Sequence, residues 1–288
     1  MKTILICPNQ ANGIPVLADT KPLVTLPFLG ERFICYWLQH LAMERFKEVR
    51  IVTTEPVSSL EEYIGNGTRW GLKIEIFHEV RELTPAEARK RYRPAYENDW
   101  PAEPNDVKVA DHFPGVAGHK VFESYGNWFK AMGMWLPQVN ATARVGLREI
   151  EPGVWVGRRT KIGKGAKLLA PCWIGDNVRI GAESLVGPMA FLEDQVVVES
   201  RSLIVNSWVG PETFVGTLTE LRDSLAWGTL LINWKNGSHT QIPDPFLLAS
   251  LAEDKGGKIE KSSLGKAAQK PLARPFEAMI ALAQKLQG

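Results

Sequence analysis

The sequence predicts an α/β unit followed by a parallel β-solenoid, and three observations carry that prediction. From Ile150 to Ile204 an aliphatic residue returns at every sixth position: Ile150, Val156, Ile162, Leu168, Ile174, Ile180, Val186, Leu192, Val198 and Ile204. Glycine directly follows the anchor at Gly157, Gly163, Gly175, Gly181 and Gly187. Upstream, short β-type runs alternate with helical patterns as far as Phe77. A period of six fits neither the 3.6 residues of a helix nor simple alternation. It fits a coil of three short strands, each sending one large side chain to a common axis. All ten anchors are then expected inside one triangular prism, with residue 150 stacked on residue 168 and the glycines supplying positive φ at the corners.

The N-terminal half breaks into elements as follows. Lys2 to Cys7 is an apolar β-type run closed by Pro8 and Asn9, a first strand leading into the loop Gln10 to Thr20. Lys21-Pro22 starts an extended segment, Gly30 turns the chain, and Phe33 to Leu41 carries a helical apolar pattern. KEVRIVTTE gives a second strand ending near Thr54. Val57 to Ile64 form a helix stopped by Gly65 to Gly67, and Leu72, Ile74 and Ile76 alternate along a third strand. Strand, helix, strand, helix, strand predicts a sheet with parallel strands. Thr84, Pro85 and Glu87 have the spacing of a capping box, so a helix starts there. Tyr92 to Pro114, rich in proline and acid, predicts a loop. His119 to Leu136 predicts a strand and a helix, with Trp128, Met132, Met134 and Trp135 as packing residues.

Within the solenoid, the residues two before each anchor are small or β-branched: Val154, Thr160, Ala166, Cys172, Val178 and onward. After Ile204 the ladder slips by one, since Val209, Val215, Leu221 and Trp227 continue the period from Leu203. One residue is therefore gained or lost near Asn206. The stretch makes roughly four coils, more than the three or so repeats a solenoid needs. It resembles the hexapeptide-repeat, left-handed parallel β-helix; the handedness is implied by that resemblance. Trp155, Trp173, Trp208 and Trp227 near the coils predict a shared surface, and with it a homo-oligomer or a pathway protein partner. Beyond the coils, Glu253 to Lys270 predicts a linker and Pro275 to Leu286 an amphipathic docking helix. The expected division is 1–140 for the α/β domain, 148–235 for the β-helix and 236–288 for the linker and last helix.

Composition narrows the function classes. The 288 residues are 44% hydrophobic and 23% charged, with a formal net charge of +2. Such a chain predicts a globular protein with no basic stripe for nucleic acid. Cys7, Cys35 and Cys172 lie far apart without CxxC, which argues against a zinc site or a disulfide scaffold. The N-terminal run is too short for a signal peptide and no segment reaches about 18 apolar residues, so no membrane span and a cytoplasmic location are expected.

Two segments carry a second resemblance. KPLVTLPFLGERF, from Lys21 to Phe33, and YIGNGTRWGLKIE, from Tyr63 to Glu75, are similar to elements of the sugar-phosphate nucleotidylyltransferases, many of which carry a hexapeptide β-helix after the catalytic domain. The resemblance implies a shortened, Rossmann-like nucleotidyltransferase sheet and a role in making or binding activated sugars for envelope polysaccharide. It places Lys21 against nucleotide or sugar phosphates, where the plain alternative is a solvated lysine. It matches Glu123 to a metal-binding aspartate that would hold Mg²⁺, the alternative being a surface carboxylate. Departures accompany the matches: the family's glycine-rich loop with its arginine is replaced by PNQANGIPVLADT, and its base-recognition run and first metal carboxylate are missing. Three functions therefore stand. These are a catalytically impaired relative that binds a nucleotide sugar or a partner, an active nucleotidylyltransferase, and a hexapeptide acyltransferase. The last normally needs a histidine, and none of the five histidines lies in the coils.

Overall fold

The computed structural model describes residues 1–9, 13–18, 21–94, 96, 98–116, 118–138 and 146–252. The predicted linker Glu253 to Lys270 and the predicted helix Pro275 to Leu286 lie outside the described residues. Four parallel strands form the N-terminal sheet, in the spatial order Lys73–His78, Glu48–Thr53, Lys2–Ile6, Val107–Val109. The first strand is buried on both faces. Leu5 joins the core beneath the helices Phe33–Met43, Val57–Ile64 and Tyr125–Trp135, whereas Ile4 and Ile6 join Leu83, Ala88 and Trp100 on the other face. A near-continuous apolar run is what a central parallel strand covered on both sides requires.

Two expectations for this half are corrected. The stretch Tyr92 to Pro114 is not all loop, because Val107–Val109 pairs with Ile4 to Ile6 as the fourth strand. So short a strand cannot show a period. Conversely, no strand forms at His119 to Phe122; the helix begins at Tyr125, with the Ser124 hydroxyl accepting from the Asn127 N–H. The helix Pro85–Tyr92 does start with the expected capping box of Thr84 and Glu87. Arg89 grips the fully buried Asp106 through two hydrogen bonds of 2.7 and 2.8 Å, and Arg93 adds a third at 2.7 Å. Asp106 directly precedes the fourth strand, so these contacts pin the helix to the sheet.

The solenoid is built as predicted from Val154 onward. Three sheets of stacked parallel strands enclose an axis lined by Val156, Ile174, Leu192, Val209 and their counterparts on the other two faces. The strands Val154–Val156, Cys172–Ile174 and Ala190–Leu192 stack residue on residue, with three full hexapeptides to each coil. Each of the next two coils is one residue shorter, since Ser207 stacks on Ala190 and Leu225 on Trp208. The slip is therefore a loss of one residue at the Asn206 corner, and a second loss follows at Asp223. That second loss corrects one anchor: Ala226 faces the axis, and Trp227 stands outside it.

Ile150 is also corrected. It lies in Arg148–Glu151, which runs antiparallel to Val154–Val156 with a register shift, and it is 47% exposed. It does not stack on Leu168, which pairs with Val186 instead. Ile162 keeps its register on Ile180, but among the described residues its strand is the end of its sheet, and it is 42% exposed, against 1% for Ile180.

Gly187 takes the positive φ expected of a corner glycine, at 102°, but the other four do a different job. Gly157, Gly163, Gly175 and Gly181 do not take positive φ; that conformation falls two residues later, at Arg159, Gly165, Asn177 and Glu183. What the glycines permit is close approach. A Cβ on Gly175 would stand 2.8 Å from the backbone of Glu193 and Asp194 in the next coil. Gly175→Ala is therefore expected to cost about 1–3 kcal/mol by overpacking, read as a lower urea midpoint at unchanged slope.

One outer face of the prism is apolar as well. Trp155, Trp173, Phe191, Trp208 and Leu225 stack in register along it, and all five belong to the same core as the N-terminal helices. Trp128 meets Trp208 edge-on at 4.7 Å, and Phe129 meets Phe191 at 5.5 Å. The tryptophans do share a face, as the sequence suggested, but the chain's own α/β half covers it. Trp155, Trp173 and Trp208 are between 0 and 9% exposed, so they offer no surface to a second subunit. Residues 1–252 form one compact unit, and the strands His239–Gln241 and Leu248–Ser250 extend the prism's sheets.

Candidate functional site

A cleft of about 810 Å³ opens between the α/β half and the solenoid. Both segments singled out in the sequence line it: Lys21, Gly30, Glu31 and Arg32 come from the first, and Tyr63 and Arg69 from the second. The opposite wall is the prism, with Glu193, Asp194 and Gln195 from one coil corner, Glu212 from the next, and Trp227 to Leu230 at the end of the last coil. Side chains from residue 21 and residue 227 thus meet across it.

The cations of the first wall are held differently. Arg69 is paired with Glu31 at 2.8 Å, and Arg32 donates to the Thr25 carbonyl at 2.9 Å while lying over the Tyr63 ring at 4.3 Å. Lys21 is partly buried, and its ammonium lies 5.3 Å from the centre of the Trp227 ring. Among the described residues no carboxylate comes within ion-pair distance of it. Burial first, and then the Arg32 guanidinium, hold its pKa below the usual lysine range. Glu212 and Glu62 act on it only from beyond ion-pair distance, and a partly desolvated ammonium with no paired carboxylate among the described residues is a cost that an anionic ligand would relieve.

At the floor of the cleft lies Glu193, 1% exposed. Its carboxylate accepts from the N–H of Leu29 at 2.8 Å, the N–H of Gly30 at 2.6 Å and the indole N–H of Trp208 at 3.0 Å. Leu29 and Gly30 both have positive φ, and this tight turn carries Glu31 and Arg32 into the cleft. Burial pushes the carboxyl up to about 7, against the pull of the three donors. Neither Glu193 nor Trp227 emerged from the sequence as a site residue. Glu193 occupies the position where Gly157 and Gly175 follow their anchors in the coils below, but Glu199 replaces glycine after Gly163 and Gly181 in the same way, so the pattern alone does not single Glu193 out.

The structure does not bring Glu123 to Lys21. Glu123 is exposed, accepts from the Asn127 amide at 3.2 Å and does not line the cleft. Among the described residues no group of three or more His, Cys, Asp and Glu side chains is placed to hold a metal. A single exposed carboxylate with an amide already on it does not fit Mg²⁺, which needs near-octahedral oxygen ligation. No histidine lines the cleft either; His40 lines a smaller, more aromatic pocket of about 480 Å³ beside Trp135 and Trp173.

Residues 153–188, two coils of the prism, match the family model described as Bacterial transferase hexapeptide (six repeats). The match supports a β-helix-like C-terminal half and a transferase-like reading of it. The comparison with curated proteins gave no match. No helix among the described residues is long and apolar enough to cross a membrane.

Proposed function

We propose that this chain binds a sugar nucleotide or sugar phosphate in the cleft between its two halves, within activated-sugar metabolism of the kind that feeds envelope polysaccharide. The single observation behind the reading is Lys21, a partly buried ammonium with no paired carboxylate among the described residues, in a cleft of the size small ligands occupy. Its surroundings suit such a ligand. Arg32 adds a second positive charge for the phosphates, while Gln195, Thr229 and Gln241 offer hydrogen bonds for sugar hydroxyls.

Catalysis of nucleotidyl transfer is expected to be weak or absent. That transfer relies on donors and cations held against developing charge, and losing one such donor typically removes about 3 kcal/mol, or roughly a hundredfold in rate. Here the glycine-rich loop and its arginine are gone together, and among the described residues Glu123 belongs to no group of three or more side chains that could hold a metal. The acyltransferase alternative has less support, since no histidine base faces the cleft.

A thermal-shift panel of nucleoside triphosphates and nucleoside-diphosphate sugars tests the reading. At least one sugar nucleotide is expected to raise the midpoint. Lys21→Ala should weaken its binding by about 1.5–3 kcal/mol, roughly tenfold to a hundredfold. His239→Ala, an exposed side chain that does not line the cleft although Gln241 of the same strand does, should leave it unchanged. Robust Mg²⁺-dependent formation of a nucleoside-diphosphate sugar, abolished by Lys21→Ala or Glu123→Ala, would restore the active enzyme instead.

A further inference from the structure

We propose that Glu193 positions the Arg32-bearing wall of the cleft, and that protonation of this one carboxylate sets how tightly the cleft holds an anion. The proposal rests on the anion-binding reading given above. Three features of the fold support it. The carboxylate accepts hydrogen bonds from both N–H groups of the Leu29–Gly30 turn, so it joins the two halves at the cleft floor. Among the described residues no lysine or arginine pairs with it. It also lines the same cleft as Lys21, so its charge is felt by whatever Lys21 binds.

Other charged groups face the same space and set the background. Asp194 beside it and Glu212 in the next coil make the solenoid wall acidic. The opposite wall carries Lys21, Arg32 and the Arg69–Glu31 pair, with Glu62 near Lys21. Of these, Glu193 is the carboxylate whose titration burial brings into the neutral range, to about 7; Asp194 reinforces the shift, and the Trp208 indole opposes it. Ionised, Glu193 would grip the turn more firmly yet add a further negative charge against an incoming phosphate. Protonated, it would leave Lys21 and Arg32 less opposed.

The linkage has a definite sign. A carboxyl raised on folding binds an extra proton in the folded state between its ordinary range and about 7, so its contribution to stability falls as pH rises through that window. Binding of proton and anion are then coupled reciprocally, each favouring the other.

The test uses the full chain and UDP-glucose, whose diphosphate stays fully ionised between pH 6 and pH 8. Calorimetry is expected to show binding weaker at pH 8 than at pH 6 by about fivefold or more, the lower end of ordinary site-to-site coupling. Glu193→Gln should flatten that difference, and Trp208→Phe, which removes one donor to the ionised form, should move the transition to higher pH. Without ligand, the thermal midpoint of the wild type should fall across the same window relative to Glu193→Gln. Equal wild-type affinity at both pH values, or a wild-type pH dependence retained in Glu193→Gln, overturns the proposal. Unchanged affinity in Lys21→Ala overturns the anion-binding reading instead, and the ligand-free midpoints keep the two failures distinguishable.

Discussion

Ile174→Asp is expected to lower the stability of the folded chain by roughly 4–5 kcal/mol, enough to unfold much of a marginal domain at room temperature. Ile174 is 0% exposed and stacks between Val156 and Leu192 on an axis that contains only apolar and small side chains. The side chains stacked on either side of it, Val156 and Leu192, offer an aspartate no donor. It must either ionise in a dry interior or stay protonated with its hydrogen bonds unmade, and both cost free energy. Ile162→Asp is the matching control, because the same ladder position in the first coil is 42% exposed and the carboxylate can reach water. Its cost should stay below about 1.5 kcal/mol. Urea unfolding followed by tryptophan fluorescence compares the two, and equal costs would mean that the axis is not closed at the second coil.

Asp106→Ala is the second large effect, expected at about 3–5 kcal/mol. Removing one partner of a buried ion pair leaves the others short of counter-charge, and here two arginines converge on a carboxylate that is 0% exposed; among the described residues only Glu103, 3.2 Å from Arg89, remains to them. The hydrogen bonds of Arg89, foremost among the causes, hold this carboxyl below the usual range. A lowered carboxyl contributes stability that is present above the unfolded-state pKa and is lost as pH falls through the folded one. In the wild type the contribution should therefore be intact at pH 7 and decline in acid, while Asp106→Ala should lack that part of the acid sensitivity. The readout is the urea midpoint measured at pH 7 and pH 3.5. A variant as stable as the wild type at pH 7 would mean that helix Pro85–Tyr92 is held to the sheet by packing alone.

The solenoid was legible because its period is written in large side chains at fixed spacing. The aromatic face was legible in the same way: Trp155, Trp173 and Phe191 recur once per coil, each just before an anchor. What the spacing could not supply was the identity of the cover, since exposed aromatics shared by two subunits and aromatics buried under an upstream domain leave the same pattern. The short strand Val107–Val109 was illegible for want of length. Ile150 and Trp227 were misplaced because a period read from both ends runs past the point where the backbone reverses or loses a residue; only the pairing shows where the coil stops. In the cleft, Lys21 was legible through a local motif, whereas its partner Trp227 sits at the end of the last coil and no local signal links them. Glu193 was not singled out by the spacing, because Glu199 is the same kind of exception among the glycines.

If the proposed reading holds, a phosphorylated ligand binds in the cleft between the sheet and the solenoid and not on the surface around Glu123. Crystals soaked with UDP-glucose test it most directly. The expected result is density for the diphosphate within hydrogen-bond distance of the Lys21 Nζ, with the sugar toward the Gln195 and Gln241 side of the cleft. Ordered ligand density at Glu123, with the cleft beside Lys21 and Trp227 holding only water, would contradict it.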